Sequence, residues 1–188
     1  LQRMLIADTN LGEIATMKMS AAESAARERT DTGPADWPEL QERATQLLRA
    51  PQAGDFGTRF QALHEELARH TTQSPDATVL ALVYLSAQET RLYSATHAML
   101  VSCVCMVTAR EVLRWPEAHT LTLGRAALSM NVAMTELQDQ LTQQAQPLTT
   151  AQIAAVESHA ARSETLLRQL GVADPLWLEA VRNHHHRL

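Results

Sequence analysis

Aromatic residues are scarce in this chain: two Phe, two Tyr and three Trp make up 4% of its 188 residues. Glycine and proline are few as well, six and seven respectively. A β-sandwich or barrel draws on β-branched and aromatic strands broken by many turn residues, so this composition argues against both. Long hydrophobic runs are also missing. The longest apolar stretch, Met99 to Ala109, is interrupted by Ser102 and Thr108 and falls well short of the ~20 residues that a bilayer span requires. Leu1 to Met19 mixes polar and apolar residues and does not read as a secretory leader. Positive charge is in deficit, with 16 Lys and Arg against 21 Asp and Glu. A chain of net charge −5 lacks the basic footprint of a duplex-binding protein, although a local basic pocket for a small phosphorylated ligand stays open. The expectation is a cytoplasmic protein with no membrane and no duplex nucleic acid among its partners. Cys103 and Cys105 stand two residues apart. On a helix such side chains diverge, so they read as two small core thiols rather than a disulfide or a metal pair.

What is abundant is Ala, Leu, Gln, Glu and Arg, which favours helix throughout. The expected fold class is all-α, a multi-helix bundle with an N-terminal helical appendage. Leu1 to Glu28 reads as partly helical, and Arg29 to Pro38 as a linker rich in turn formers. Asp36 offers an N-cap and Pro38 an early-turn proline for a helix ending near Arg49. A second helix, from about Thr58 to His70, aligns Phe60, Leu63 and Leu67. Ser74-Pro75-Asp76 opens a third, running through Val79, Leu80 and Val83. From Tyr93 to Trp115 a single stripe is expected to carry His97, Leu100, Val101, Val104, Thr108 and Val112, with Trp115-Pro116 ending it. The next helix is expected to bury Leu123, Ala127, Met130, Met134, Leu137 and Leu141 along one unbroken face. Thr149 and Gln152 form a capping-box signature, Gly171 a C-cap, and Asp174-Pro175 the start of a last helix through Leu178 and Val181. Residues 1–73 are read as the appendage and linker, and 74–188 as the main helical domain.

Histidine placement is the informative feature. His97 lies on the stripe of its helix, His159 follows Val156 by three residues, and His184-His185-His186 close the last helix, with His185 four residues beyond Val181 and expected to face inward. Imidazole is read as a ligand for Zn, Fe, Ni or Mn, and helical bundles often assemble metal sites from inward side chains of facing helices. His64-Glu65-Glu66-Leu67-Ala68 begins like a zinc-protease helix, but its second histidine is missing and His70 sits on another face, so that motif is rejected.

The order of these elements resembles the HD-GYP branch of the HD-domain phosphohydrolases. Tyr93-Ser94-Ala95-Thr96-His97 matches that family's Tyr-Ser-x-x-His element. Leu148-Thr149-Thr150-Ala151-Gln152 matches its Leu-Thr-x-x-Glu element, with His159 where a ligand histidine follows. Val181 to Arg187 matches its His-His-Glu element, with His186 in place of Glu. The resemblance implies a helical domain in which His97, His159, His184 and His185 are metal ligands. It further implies Fe or Mn as the metal and cyclic di-GMP as the ligand.

The departures fall on the catalytic element. Met130, Asn131 and Met134 replace the family's histidine, its metal-bridging aspartate and its phosphate-contacting lysine, and residues 1–188 do not include its Gly-Tyr-Pro segment. A thioether and a neutral amide are poor substitutes for ligands of a hard divalent ion. Without them neither metal-activated water nor charge stabilisation is provided. The expectation is therefore a degenerate domain that holds one ion at most and binds cyclic di-GMP or a protein partner, with residues 1–73 either packing on the core or mediating homodimerisation. Two alternatives stand beside it: an active phosphodiesterase with a reduced site, and a helical interaction protein with no metal site.

Overall fold

The computed structural model describes residues 35–88 and 90–186; the expected helical segment before Glu28 lies outside them. The described residues are all-helical. We label the helices α1 (Trp37–Arg49), α2 (Phe56–Gln73), α3 (Pro75–Gln88), α4 (Tyr93–Val107), α5 (Glu117–Ser129), α6 (Thr135–Gln143), α7 (Thr150–Gln169) and α8 (Pro175–Asn183). Short 3₁₀ turns lie at Thr90–Leu92 and Val132–Met134, and α4 runs on into a π-helical turn at Thr108–Val112.

Side-chain caps set half of the starts. The Asp36 carboxylate accepts from the Glu39 N–H at 3.1 Å and Asp55 from Thr58 at 3.2 Å, each satisfying one of the orphan donors of a first turn. Thr149 and Gln152 complete the capping box, with bonds of 3.2 and 2.9 Å. Asp174 accepts from both Leu176 and Trp177 at the head of α8. Gly171 turns the chain between α7 and α8 at φ +90°, a conformation that only glycine adopts without strain.

Asp36–Leu188 forms one compact unit, and α1 and α2, the helices expected in the appendage, lie within it. Its core is built from Leu40, Leu47, Phe60, Leu63, Leu67, Leu82, Met99, Met106, Leu128, Leu167 and Leu178, all essentially inaccessible. Phe60 packs on Trp177 with ring centroids 4.9 Å apart, and the Trp177 indole donates to Ser129 Oγ at 2.8 Å. These contacts tie α2, α5 and α8 together.

Two expected faces are corrected. On α4 the buried side is Ala95, Met99, Ser102, Cys103 and Met106, while Val104 and Val112 are exposed and His97 is only half-buried. Small residues prevail because α5 approaches closely there. Ser102 Oγ donates to the Gly124 carbonyl at 2.8 Å, and a Cβ on Gly124 would come within 2.6 Å of Met106 Sδ. The space that Gly124 leaves is filled by Met106, so the face combines small residues at the crossing with two buried methionines. The second correction concerns the long helix expected from Leu123 to Leu141. It breaks after Ser129, passes through the Val132–Met134 turn and restarts at Thr135. Met130, Met134, Leu137 and Leu141 are consequently half-buried, whereas Val132, Thr135 and Asp139 take the inner positions. Asp139 accepts from the Ser94 N–H at 2.7 Å and from Arg49 Nη2 at 2.7 Å, joining α6 to α4 and α1.

Cys103 is buried and Cys105 half-buried, both as free thiols. Among the described residues no helix is long and apolar enough to cross a membrane.

Candidate functional site

The α7–α8 hairpin brings histidines together. His159 stands ten residues before the end of α7 at Gln169, and His184 directly follows α8, which begins at Pro175. With a rise of about 1.5 Å per residue, both lie roughly 14–15 Å from the turn, so an antiparallel hairpin sets them level. Glu164 of α7 fastens the pair of helices, accepting from Arg168 and lying 3.7 Å from Arg182 of α8.

His159 is buried, His184 half-buried and His185 exposed, and one ring nitrogen from each lies within 4.8 Å of the others. The expectation that His185 would point inward fails because α8 ends at Asn183. Helical spacing does not extend past that residue, and His184, the C-cap, turns in instead. His97 stands apart from this group. It lies on α4 with its ring stacked on Tyr93 at 5.3 Å and its Nδ1 3.5 Å from the Tyr93 hydroxyl. Of the four expected ligands, then, three converge and His97 does not join them.

Backbone carbonyls orient two of the rings. His159 Nδ1 bonds to the Val156 carbonyl, and His184 Nδ1 to the Val181 carbonyl at 2.7 Å. A carbonyl oxygen only accepts, so each Nδ1 carries the hydrogen and each neutral ring presents its lone pair at Nε2. Those two Nε2 atoms face each other at 3.0 Å. Burial, the leading cause, holds both histidines below the usual imidazole range, and the bonds to Val156 and Val181 only partly oppose it. Neutral rings are the form that ligates metals, and carbonyl-anchored Nδ1–H groups are the usual outer support of such ligands. Two ligands each about 2.1 Å from one ion lie about 3.0 Å apart at a right angle and about 3.4 Å apart in a tetrahedron, so the 3.0 Å spacing is near that of a shared cation with right-angle coordination. Among the described residues no carboxylate belongs to the group.

The segment from Met130 to Met134 is braced against the same helix. The Ala133 N–H donates to Ser163 Oγ at 3.2 Å, and Arg162 Nη2 donates to the Ala133 carbonyl at 3.3 Å. Ser163 lies one turn beyond His159. Met130 caps the end of α5, Asn131 Oδ1 is buried without a hydrogen-bond partner, and Met134 borders a groove shared with Ser158 and Arg162. Sequence reasoning did not foresee the Val156 and Val181 carbonyls as orienting groups. The signal was available, since each lies three residues before its histidine, as a ring bonding back over one helical turn requires.

Comparison with protein families, curated proteins and solved structures gives no match for this chain.

Proposed function

We propose that this chain is a regulatory domain of the HD-GYP type that holds a single transition-metal ion and binds cyclic di-GMP, or a protein that responds to it, without hydrolysing it. The observation that carries the reading is the facing pair of Nε2 atoms on His159 and His184 at 3.0 Å, each aimed by a backbone carbonyl. Left alone, two lone pairs at that distance repel, and a shared cation removes the repulsion. His159, His184 and His185 would hold the ion, and the ion would supply positive charge for a phosphate group. An imidazole set without carboxylates suits Fe, Zn or Ni better than Mn, which favours oxygen ligands. Hydrolysis is not supported, because Met130, Asn131 and Met134 offer neither a bridging carboxylate nor a cation for the phosphate.

Metal analysis by plasma emission, on protein as purified and after anaerobic dialysis against Fe(II), Zn(II), Ni(II) or Mn(II), tests the site. About one equivalent is expected in the native chain and none in His184→Ala. An absence of metal under every condition would sink the metal reading. Turnover of cyclic di-GMP that disappears in His159→Ala would overturn the degenerate reading. The pair Met130→His and Asn131→Asp is expected to raise metal occupancy.

A further inference from the structure

Helix α3 carries an apolar face that nothing among the described residues covers. From Ala77 to Gln88 it holds no charged residue, and its buried positions are Thr78 and Leu82. On the other side Leu80, Val83 and Tyr84 are 71%, 48% and 67% exposed. Contiguous apolar patches of roughly 300–600 Å² on a folded monomer often mark interaction sites, because withdrawing such surface from water is the main favourable term in association.

The pattern on this face is self-complementary. Ala77, Leu80, Tyr84 and Ala87, all exposed, follow one another at the alternating three- and four-residue spacing of a seam between two helices. In an antiparallel pair whose two-fold axis is level with Leu82, Leu80 of each copy meets Tyr84 of the other, and Ala77 meets Ala87. Large side chains then interlock at the centre, small ones let the ends close, and Val83 flanks the seam. The antiparallel sense also opposes the helix dipoles and holds the two Asp76 carboxylates at opposite ends, whereas a parallel pair would set them side by side. Charge narrows the occupant further. An uncharged face gives a charged partner nothing to grip, and a lipid surface is disfavoured because the chain has a net charge of −5 and α3 carries no Lys or Arg, the residues on which interfacial helices rely. Leu80, Val83 and Tyr84 would withdraw about 300 Å² per copy at these exposures. With the flanking residues, the contact totals on the order of 1,000 Å², the size of a weak, concentration-dependent interface.

We propose that the exposed face of α3 docks a second copy of this chain, forming a weak antiparallel dimer. The same patch serves both copies, so the contact closes on itself and assembly stops at two. The pairing does not use the three histidines and does not depend on the metal reading.

The test is sedimentation equilibrium of the full 188-residue chain across the micromolar range. EDTA prevents metal bridging through the histidines, and a reductant prevents cross-linking through Cys105. The average mass is expected to rise with concentration from 20.8 kDa toward twice that value. Leu80→Glu and Tyr84→Glu should each weaken association at least tenfold and leave the helical circular dichroism unchanged, since both side chains are exposed. Should either variant unfold, Leu80→Gln and Tyr84→Gln replace them, with several-fold weaker association expected. Val112→Glu, at a position 72% exposed on another part of the surface, should pair as the wild type does. Combining Leu80→Lys with Tyr84→Glu sets opposite charges across the seam in both places and should pair more tightly than Tyr84→Glu alone. A monomer at every concentration would overturn the proposal, whether it stays free or floats with vesicles of phosphatidylcholine and phosphatidylglycerol. So would association undiminished in Leu80→Glu and Tyr84→Glu, an equal loss in Val112→Glu, or a double variant no tighter than the single.

Discussion

Replacing Asp139 by alanine should destabilise the domain by about 2–4 kcal/mol. Its carboxylate, only 8% exposed, accepts from the Ser94 N–H at the head of α4 and from two nitrogens of Arg49. The bond to Ser94 is charge-assisted, buried and placed at the positive end of a helix, and is worth about 1.5–3 kcal/mol. Arg49 is 37% exposed, so water screens its pairing and its share is about 1 kcal/mol or less. For a domain of this size the sum corresponds to a fall of about 4–16 °C in unfolding temperature. Urea titration followed by circular dichroism measures the loss. Asp139→Asn can still accept from Ser94 and should cost about half as much, and Arg49→Ala should cost no more than about 1 kcal/mol. A loss below about 1 kcal/mol in Asp139→Ala, or equal losses for Ala and Asn, would refute the assignment of a charged cap joining three helices.

Acid should weaken the fold through His64. Its folded value of about 4, against the ordinary 6.5, means the unfolded chain binds the proton more tightly. The contribution is therefore complete above pH 6.5, declines as the pH falls toward 4, and reaches about 3 kcal/mol. His70 and His97 are lowered by burial too and act in the same direction. Comparing urea midpoints of wild type and His64→Gln across that window isolates the His64 share, and parallel curves would count against it. Gly124→Ala sets two effects against each other. Helix propensity alone predicts a gain of about 1 kcal/mol, but the new Cβ would meet Met106 Sδ at 2.6 Å and His64 Nε2 at 2.9 Å. Overpacking should prevail, for a net loss of about 1–2 kcal/mol; any gain in stability would show that α4 and α5 do not cross so closely. Thr149→Ala should cost about 1 kcal/mol and speed amide exchange in the first turn of α7. Unchanged exchange at Gln152 would argue against the capping box.

Much of the helix punctuation was legible because it is local chemistry. Asp36, Thr149 with Gln152, Gly171, and Asp174 with Pro175 act within four residues of themselves, and each works where its neighbours in sequence imply. Faces were less legible. The α4 stripe read from Val104 and Val112 counted size, whereas packing favoured the small residues Ala95, Ser102 and Cys103. On α3, Leu80, Val83 and Tyr84 are 71%, 48% and 67% exposed although the helix is apolar on nearly every side. A sequence apolar all round cannot say which side meets the core.

The same division runs through the candidate site. The sequence alone determined an all-helical chain, where most of its helices start, and that histidines cluster toward its end. Only the tertiary structure decided that His184 rather than His185 turns inward, that His97 stays apart, and that the helix expected across Met130 breaks there. It also decided that Asp139 reaches across to Ser94. The physical reason is range. Caps and turns are fixed by groups a few bonds apart, whereas facing rings, close helix crossings and bonds between helices depend on how distant helices pack.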